Sequence, residues 1–476
     1  MDDLPKRWPL VTNPGNRYAN VHQDGRLVNC FAEKDLQMDE YDVLRRPGIR
    51  PHADLVATFS TNEGRGMFNW RPDFSTNFLM QVRDALGVAH LFKDTTDLGA
   101  VFSGYYDAFE PVQSATPTMF FKSGGNAYVT DGTTITAVGD AAWLSFQADV
   151  LPGAASLNGR LYVLAAPDRV YGAASLDTGT SWSTLNLIRA NDNPDWGTYI
   201  CRYLQYILVM KQYTTEVFQD EGNPTGSPLG RVQGVSIPYG CMRTDCVVRI
   251  NDDLFWPATS RNTAQDTVMT QVVRMRGLVA EPVSTPMVDR LLSTYTPTRA
   301  FPLLIMGHKL YCLELYTGSE YFHLVYDVTE GLWSEWYIPA RIVAAQGGPY
   351  GLVLQIIQGT PLQILESLTH DTVNTDIVPI SADIYTPNMD FGADRIKYLG
   401  ALYFTGDETQ GTTMEVRHTD DDYKTWSNFR TVDLSKVKPR ITDEGSFYSR
   451  AYHLRFKQAG PFRQRSMGLQ MGLGVL

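Results

Sequence analysis

A turn followed by a short strand is the most frequent pattern along this 476-residue chain. Pairs of Gly, Asn or Asp precede stretches rich in large apolar side chains, as at Asn158-Gly159 before residues 160–163 and at Asp252-Asp253 before residues 254–256. Alternation of apolar and polar positions is typical of half-buried strands, and Asn-Gly supplies the positive φ angles of a tight hairpin. Amphipathic helical periodicity is scarce, and residues 286–292 form the best short candidate. The pattern predicts an all-β protein.

The spacing of these units predicts the domain organisation. The units begin at irregular intervals, so a strict repeat is absent, yet residues 56–375 have room for six or seven propeller blades of about 45 residues each. Residues 1–55 form a turn-rich opening with separate strands, and residues 376–476 alternate like the strands of a sandwich or barrel. We therefore expect a central β-propeller over residues 56–375. The segments 1–55 and 376–476 are expected to combine into an additional β platform.

Two acidic turns support the propeller prediction. Residues 175–182 resemble the Asp-box, Ser-x-Asp-x-Gly-x-Thr-Trp, with serine in place of the threonine, and residues 419–426 are a looser copy without the glycine. In such a box the carboxylate accepts backbone amides of a hairpin turn, the glycine permits the bend and the tryptophan packs beneath. We expect a structural role, without catalysis, for Ser175, Asp177, Gly179 and Trp182.

Charge and cysteine content limit the function classes. The 41 Lys and Arg residues are outnumbered by 52 Asp and Glu residues, which gives a net charge of −11. This balance argues against tight DNA binding, because affinity for phosphate comes from cationic side chains that displace counterions. Five cysteines without a CxxC pair are expected to be buried thiols in a reducing compartment. The chain begins without a signal-peptide pattern and has no apolar run near the roughly 18 residues of a membrane span, so we expect synthesis and assembly in a cytoplasm.

Motifs for catalysis or metal binding are absent from the sequence. There is no phosphate loop, HExxH, GxSxG or dinucleotide fingerprint, and the eight histidines are scattered singly. Acidic clusters at residues 192–195 and 420–422 carry oxygen ligands that would suit Ca²⁺, but they lack the spacing of a known calcium loop, and solvated turns are favoured. We expect no catalytic site, no cofactor and no metal site.

An ordered series of glycine turns and aromatic strand residues runs from Glu216 to Trp336. Its members include Gly222, Asn223, Pro224, Gly234, Trp256, Gly307, His308, Tyr326, Asp327 and Trp333. In this order and spacing they resemble the packaged-DNA stabilisation proteins of short-tailed bacteriophages, which are the hub or nozzle subunits of the tail. The resemblance extends loosely over most of the chain and is strongest in this segment.

The resemblance implies a structural protein of the virion tail without enzymatic activity. Six copies would form a ring below the portal and its adaptor ring, continue the DNA channel and help to retain the packaged genome. The ring would also seat tail fibres or spikes and a plug or needle, and it would be assembled in the host cytoplasm. DNA would pass through an acidic bore without tight binding.

A glycan-binding or glycan-cleaving β-propeller is the alternative, because Asp-boxes and numerous aromatic residues also fit that class. A sialidase would need clustered arginines for the substrate carboxylate, and no linear motif identifies such a cluster. A ring with a central channel would favour the tail role, whereas a monomer with an arginine-lined pocket would favour the glycan role.

Overall fold

The computed structural model describes residues 6–11, 13, 24–35, 40–59, 62–112, 116–174, 176, 179–262, 267–373, 376–392 and 394–473.

The N-terminal segment consists of short strands. It contains β1 (Lys6–Trp8), β2 (Arg26–Val28), β3 (Cys30–Asp35), β4 (Glu40–Arg45), β5 (Gly48–Pro51) and the single helical turn α1 (Val56–Phe59).

Seven consecutive antiparallel meanders follow, which we number as blades 1–7. Blade 1 contains β6 (Glu63–Trp70), β7 (Phe78–Ala85), β8 (Val88–Lys93) and β9 (Thr96–Val101), and blade 2 contains β10 (Ala108–Val112), β11 (Thr118–Ser123), β12 (Asn126–Thr130) and β13 (Ile135–Ala137). Blade 3 contains β14 (Gly153–Leu157), β15 (Arg160–Ala165), β16 (Arg169–Ala173) and β17 (Trp182–Arg189), and blade 4 contains β18 (Gly197–Tyr203), β19 (Tyr206–Lys211), β20 (Thr215–Asp220) and β21 (Leu229–Arg231). Blade 5 contains β22 (Gly240–Cys241), β23 (Val248–Ile250), β24 (Asp253–Asn262), β25 (Thr267–Arg276) and β26 (Val279–Pro282). Blade 6 contains β27 (Thr296–Ile305), β28 (His308–Tyr316), β29 (Tyr321–Asp327) and β30 (Leu332–Trp336), and blade 7 begins with β31 (Ile342–Gly348), β32 (Gly351–Ile356) and β33 (Leu362–Leu365).

The N-terminal strand β5 completes blade 7. It pairs antiparallel with β33, from Pro51 opposite Leu362 to Gly48 opposite Leu365. The ring then closes onto blade 1, where the Gly64 amide donates to the Ile357 carbonyl at 3.1 Å. The expected all-β propeller of six or seven blades is thus confirmed, with seven meanders. The expectation that residues 1–55 join the platform is wrong for β5, because this strand is the fourth strand of blade 7.

Helices are few and lie between blades. The helix α2 (Ala141–Phe146) continues into a 3₁₀ turn over Gln147–Asp149, and a second 3₁₀ turn covers Thr244–Cys246. The helix α3 (Pro286–Thr294) contains the predicted short helix, begins with proline at its first turn and buries its apolar side between blades 5 and 6. In the described part of the chain no helix has the length and apolar character to cross a membrane.

The N- and C-terminal segments combine into a β platform beside the propeller, as expected. The C-terminal strands are β34 (His370–Val373), β35 (Asp376–Pro379), β36 (Ala382–Tyr385), β37 (Lys397–Gly406), β38 (Thr413–Thr419), β39 (Arg430–Asp433), β40 (Arg440–Thr442), β41 (Ser446–Phe447), β42 (Ala451–Phe456) and β43 (Arg463–Leu473). One platform sheet has the order β3-β4-β43-β37-β40, with β1 on β43 and β41 on β37. The other continues blade 6 through β30-β2-β36-β42-β38-β39.

The strand β2 joins propeller and platform into one sheet. Val28 lies opposite Glu335 of β30 in a parallel pairing and opposite Asp383 of β36 in an antiparallel pairing. The two platform sheets enclose one apolar core, which includes Trp8, Leu454 and other fully buried side chains. Since blade 6 and the platform share a hydrogen-bonded sheet, their relative orientation is set by backbone hydrogen bonds as well as by packing.

Candidate functional site

The series of residues between Glu216 and Trp336 that resembles the phage proteins is called the phage-like series below. Five of its members lie in blade 6, namely Gly307, His308, Tyr326, Asp327 and Trp333. Met306 and Gly307, with φ angles of +49° and +83°, form the turn between β27 and β28. The next residue is His308, and its Nδ1 atom is 2.6 Å from Oδ2 of the buried Asp327. The other oxygen of Asp327 accepts the Thr329 amide at 2.8 Å and so closes the turn after β29. One carboxylate therefore fastens two neighbouring hairpin turns together.

The aromatic residues of the same series pack on the other side of the meander. The rings of Tyr326 and Trp333 pair across β29 and β30 with centroids 5.0 Å apart. The indole nitrogen of Trp333 donates to the Val283 carbonyl at 2.9 Å, which ties blade 6 to the segment before α3. These contacts are structural, because the two rings pack against each other and the Trp333 indole N–H is hydrogen-bonded within the protein.

The remaining residues of the series lie in blades 4 and 5. Gly222, Asn223 and Pro224 are exposed in the loop between β20 and β21, and Gly234 follows blade 4 with a φ of +75°. Trp256 is buried in β24 and donates to the Gly240 carbonyl at 3.0 Å. The structure therefore spreads the series over three blades and does not gather it into one site.

The His308–Asp327 contact gives a testable pH dependence. The hydrogen bond to Asp327 raises the pKa of His308 above its ordinary value. Its stabilising contribution is therefore fully present below the unfolded pKa of about 6.5 and is lost as pH rises through the folded pKa. Asp327→Asn removes the negative charge. We expect urea unfolding to show a larger destabilisation by this variant at about pH 6 than at about pH 8.

A matched control is available in blade 1. His90 lies 2.8 Å from Asp97, and both side chains are partly exposed to water. Asp97→Asn removes the same charge from a solvated pair, whose contribution to stability is small. An equal loss for Asp327→Asn at both pH values would contradict the assigned role of the buried pair.

The predicted Asp-box is described only in part. Ser175 and Asp177 lie outside the described residues, so the carboxylate contacts expected of them stay a prediction. Gly179 has a φ of +63°, and its carbonyl accepts the indole N–H of Trp182 at 3.0 Å. Trp182 packs against Trp143 of α2 with ring centroids 4.9 Å apart, in the apolar cluster between blades 2 and 3.

The looser copy at residues 419–426 is a closed acidic turn. Oδ1 of Asp421 accepts the amides of Lys424 and Thr425 at 3.1 and 2.9 Å. Together with the Thr425 hydroxyl, these bonds lower the pKa of Asp421 to about 2. Tyr423, in the place of the glycine, has a φ of +67° and donates its hydroxyl to the Thr386 carbonyl at 2.7 Å. The turn thus uses its carboxylate internally.

The acidic turn before blade 4 also uses its carboxylates internally. Asp195 pairs with the fully buried Lys211 at 2.7 Å and accepts the amides of Tyr213 and Thr214 at 2.9 and 3.0 Å. Throughout the described ranges, no group of three or more His, Cys, Asp or Glu side chains is arranged to hold a metal ion.

The cysteine thiols are free, four of them buried and Cys201 half-buried. Burial is the largest cause of a raised thiol pKa at each of Cys30, Cys201, Cys241, Cys246 and Cys312. Thiols with raised pKa values are weak nucleophiles, since the thiolate is the reactive form. These cysteines are packing residues.

A cavity of about 310 Å³ lies on the propeller axis. Every blade contributes to its lining through its innermost strand or through the turn before that strand. Its charged lining residues are Asp107, Glu110, Arg202, Asp245 and Arg299. These residues come from blades 2, 4, 5 and 6, so no linear motif could have identified them. What they share in the sequence is a position in or next to the first strand of a meander.

Two of the three acidic side chains in this axial cavity are paired. Asp107 forms a 2.6 Å ion pair with the fully buried Lys122, and Asp245 lies 3.4 Å from Arg243. Glu110 accepts the Ser156 amide at 2.8 Å, and burial raises its pKa to about 8. Glu110 is therefore mostly protonated near neutral pH.

The two arginines of the axial cavity have different neighbours: Arg202 lies near the Glu110 carboxyl group, and Arg299 lies near Tyr105. Within the described part of the chain, neither Arg202 nor Arg299 forms an ion pair with a carboxylate. Arg202 donates through Nε to the Leu204 carbonyl at 3.1 Å. The guanidinium group of Arg299 lies 4.4 Å from the ring centroid of Tyr105, and that of Arg65 lies 4.9 Å from the same ring. Tyr105 thereby connects blade 1 with blade 6.

A buried ion pair fastens the platform to blade 7. Arg46, between β4 and β5, contacts both carboxylate oxygens of Asp371 in β34 at 3.0 and 2.5 Å. Asp371 also accepts the Ile49 amide at 3.1 Å. The guanidinium group of Arg46 also donates to Oδ1 of Asn29 at 3.1 Å and to the carbonyls of Tyr337 and Pro47 at 2.8 and 3.1 Å. Bidentate geometry of this kind fixes orientation as well as distance.

Solved structures with a related chain course are distant in sequence. The extracellular domain of BT4673 from B. thetaiotaomicron is 10% identical, covers 92% of this chain and has a TM-score of 0.38, and this chain spans only 62% of its length. BamB from Moraxella catarrhalis is 9% identical and matches over 67% of this chain and 96% of its own, with a TM-score of 0.38. An exo-beta-1,3-galactanase from Phanerochaete chrysosporium is 11% identical over 76% of this chain and 95% of its own, with a TM-score of 0.27. We draw no functional conclusion from TM-scores this low.

The family comparison gives a more specific result. No curated protein matches the chain. Residues 115–302 match a protein-family model, and this range contains the strands from β11 in blade 2 to most of β27 in blade 6. The family consists of structural phage proteins, and this agrees with a role that requires no catalysis. The matched family is described as bacteriophage P22 Gp10, beta-propeller, and although the match covers less than half of the chain, it supports a structural role for this protein in a phage particle.

Proposed function

We propose that the chain is a tail-nozzle subunit of a short-tailed phage, which forms a ring below the portal and its adaptor and helps to retain packaged DNA. The observation that carries this proposal is the match of residues 115–302 to the bacteriophage P22 Gp10 β-propeller family. The phage-like series of glycine turns and aromatic residues lies in blades 4–6 and overlaps the matched range.

The shape of the subunit supports a mechanical role. A propeller of seven closed blades is a rigid block, since its first and last blades are hydrogen-bonded to each other. The platform shares a continuous sheet with blade 6 and cannot swing freely. We propose that six such blocks pack side by side and that the adaptor ring, the tail fibres or spikes and a plug or needle attach to this ring.

The charge of the chain supports a channel through which DNA slides. With a net charge of −11 per subunit, the ring would repel phosphates and would not grip them. Retention would then come from a narrowed or plugged bore. The axial cavity of each propeller is too small to hold a duplex, so the DNA path would lie between subunits.

Phage particles assembled without this protein test the proposal. We expect such particles to package DNA normally and then to lose it, because the mechanical block at the tail is absent. Protection of the packaged DNA from nuclease, followed over time after packaging, measures the loss. Supplying the purified protein to freshly packaged particles should restore retention. Particles that keep their genomes without the protein would overturn the stabilising role.

A separate measurement tests how DNA is retained. The isolated protein is expected to have negligible affinity for duplex DNA at physiological salt, because of its acidic surplus. Filter binding over a range of salt concentrations measures this affinity. Tight binding with a steep salt dependence would indicate a cationic grip on phosphates and would contradict the sliding channel.

A further inference from the structure

The axial cavity is lined by two arginines that form no ion pair among the described residues and by three acidic side chains that are paired or protonated, in a chain whose net charge is −11. We propose that this cavity binds a small molecule with an oxyanion group, either a phosphate ester or the carboxylate of an acidic sugar, through Arg202 and Arg299. The inference concerns each propeller by itself and does not depend on ring assembly.

The charge balance of the cavity favours an anion. Asp107 and Asp245 each have a cationic partner, Lys122 and Arg243 respectively. Glu110 is mostly protonated near neutral pH. Neither Arg202 nor Arg299 forms an ion pair among the described residues, and Arg202 lies near the carboxyl group of Glu110. An anion is the ligand that would balance this surplus, and guanidinium groups match the geometry of phosphate and carboxylate oxygens.

The dimensions of the cavity favour a small ligand. Its volume of about 310 Å³ is at the lower end of the range of about 300–1,000 Å³ that is typical of small-molecule sites. The lining also offers apolar and aromatic surface, including Phe68 and Phe109. Such surface would contact the body of a sugar or a phosphate ester while the arginines hold its charged group.

Glu110 gives the site a predicted pH dependence. From β18, Tyr199, Cys201 and Arg202 are near its carboxyl group, and from β14 the Ser156 amide donates to it. Burial keeps Tyr199 and Cys201 neutral by raising their pKa values, and Asp107 on its own blade is paired with Lys122. Ionisation of Glu110 above about pH 8 would add a negative charge to the cavity and weaken anion binding.

Isothermal titration at low ionic strength tests the proposal with two probes, inorganic phosphate and glucuronate. We expect saturable binding of at least one probe, and the preferred probe distinguishes a phosphate ligand from an acidic sugar. Arg202→Met and Arg299→Met should each weaken binding about ten- to hundred-fold, the usual effect of losing a hydrogen bond to a charged group. Glucuronate affinity should fall above about pH 8 in the wild type and stay constant in Glu110→Gln.

Arg71→Met is the matched control, because Arg71 is exposed in the turn between β6 and β7 and does not line the cavity. It changes the net charge equally and should leave binding unchanged. Melting temperatures of all variants show whether each remains folded. Absence of binding by both probes at millimolar concentration would overturn the proposal, as would equal weakening by Arg71→Met.

Discussion

Asp371→Ala is expected to lower the free energy of unfolding by about 3–5 kcal/mol, because it leaves the Arg46 guanidinium buried without its counter-charge. Both side chains are only 2% exposed, so water cannot take the place of the carboxylate. The substitution also removes the acceptor of the Ile49 amide, at the start of the strand that closes blade 7. Urea unfolding followed by tryptophan fluorescence measures the loss.

Two variants give this measurement its controls. Glu281→Ala breaks the ion pair with Arg274 in blade 5, where Glu281 is 55% exposed, and should cost less than about 1 kcal/mol. The double variant Arg46→Met with Asp371→Leu removes both charges together and should recover much of the stability lost in Asp371→Ala. A loss for Asp371→Ala no larger than that for Glu281→Ala would contradict the assigned role of the buried pair.

Trp182→Ala is expected to cost about 3–5 kcal/mol, the usual range for emptying an aromatic site in a packed core. The indole is 3% exposed and fills the space between blades 2 and 3 against Trp143, Phe146 and Phe120. Its N–H also holds the Gly179 carbonyl in the partly described Asp-box. Differential scanning calorimetry should record a lower melting temperature.

Trp196→Ala is the matched control for this prediction. Trp196 lies in the connection before blade 4 and is 63% exposed, so its removal should change stability by no more than about 0.5 kcal/mol. A glycan array adds a functional readout to both variants. Loss of glycan binding in Trp182→Ala with an unchanged melting temperature would contradict the structural role and favour a glycan-binding propeller.

Local features were predictable from the sequence because short-range chemistry determines them. Asn158 and Gly159 adopt φ angles of +50° and +78°, as the Asn-Gly signal indicates for a tight hairpin. The helix α3 lies where the apolar spacing predicted it, and Thr285 accepts the Val288 amide at its start. Gly307 similarly occupies a turn with a positive φ.

Features that depend on distant pairing were not predictable. The strand β5 has four residues and no pattern that distinguishes a propeller strand from a platform strand. Its partner β33 follows about 310 residues later, after all the other propeller strands, so only the folded chain reveals the pairing. The axial arginines were missed for the same reason, since Arg202 and Arg299 occupy inner strands of different blades.

The pairing of β5 with β33 has a consequence for the order in which the chain can mature. During synthesis β5 leaves the ribosome before any blade exists, and its partner appears only after six blades have been made. Until then β5 has an unpaired strand edge, and β33 has another until the two strands meet. Such edges are open to pairing with other chains. Where nascent copies are concentrated, the β5 of one chain could complete blade 7 of another, which would produce segment-exchanged dimers with all seven blades intact.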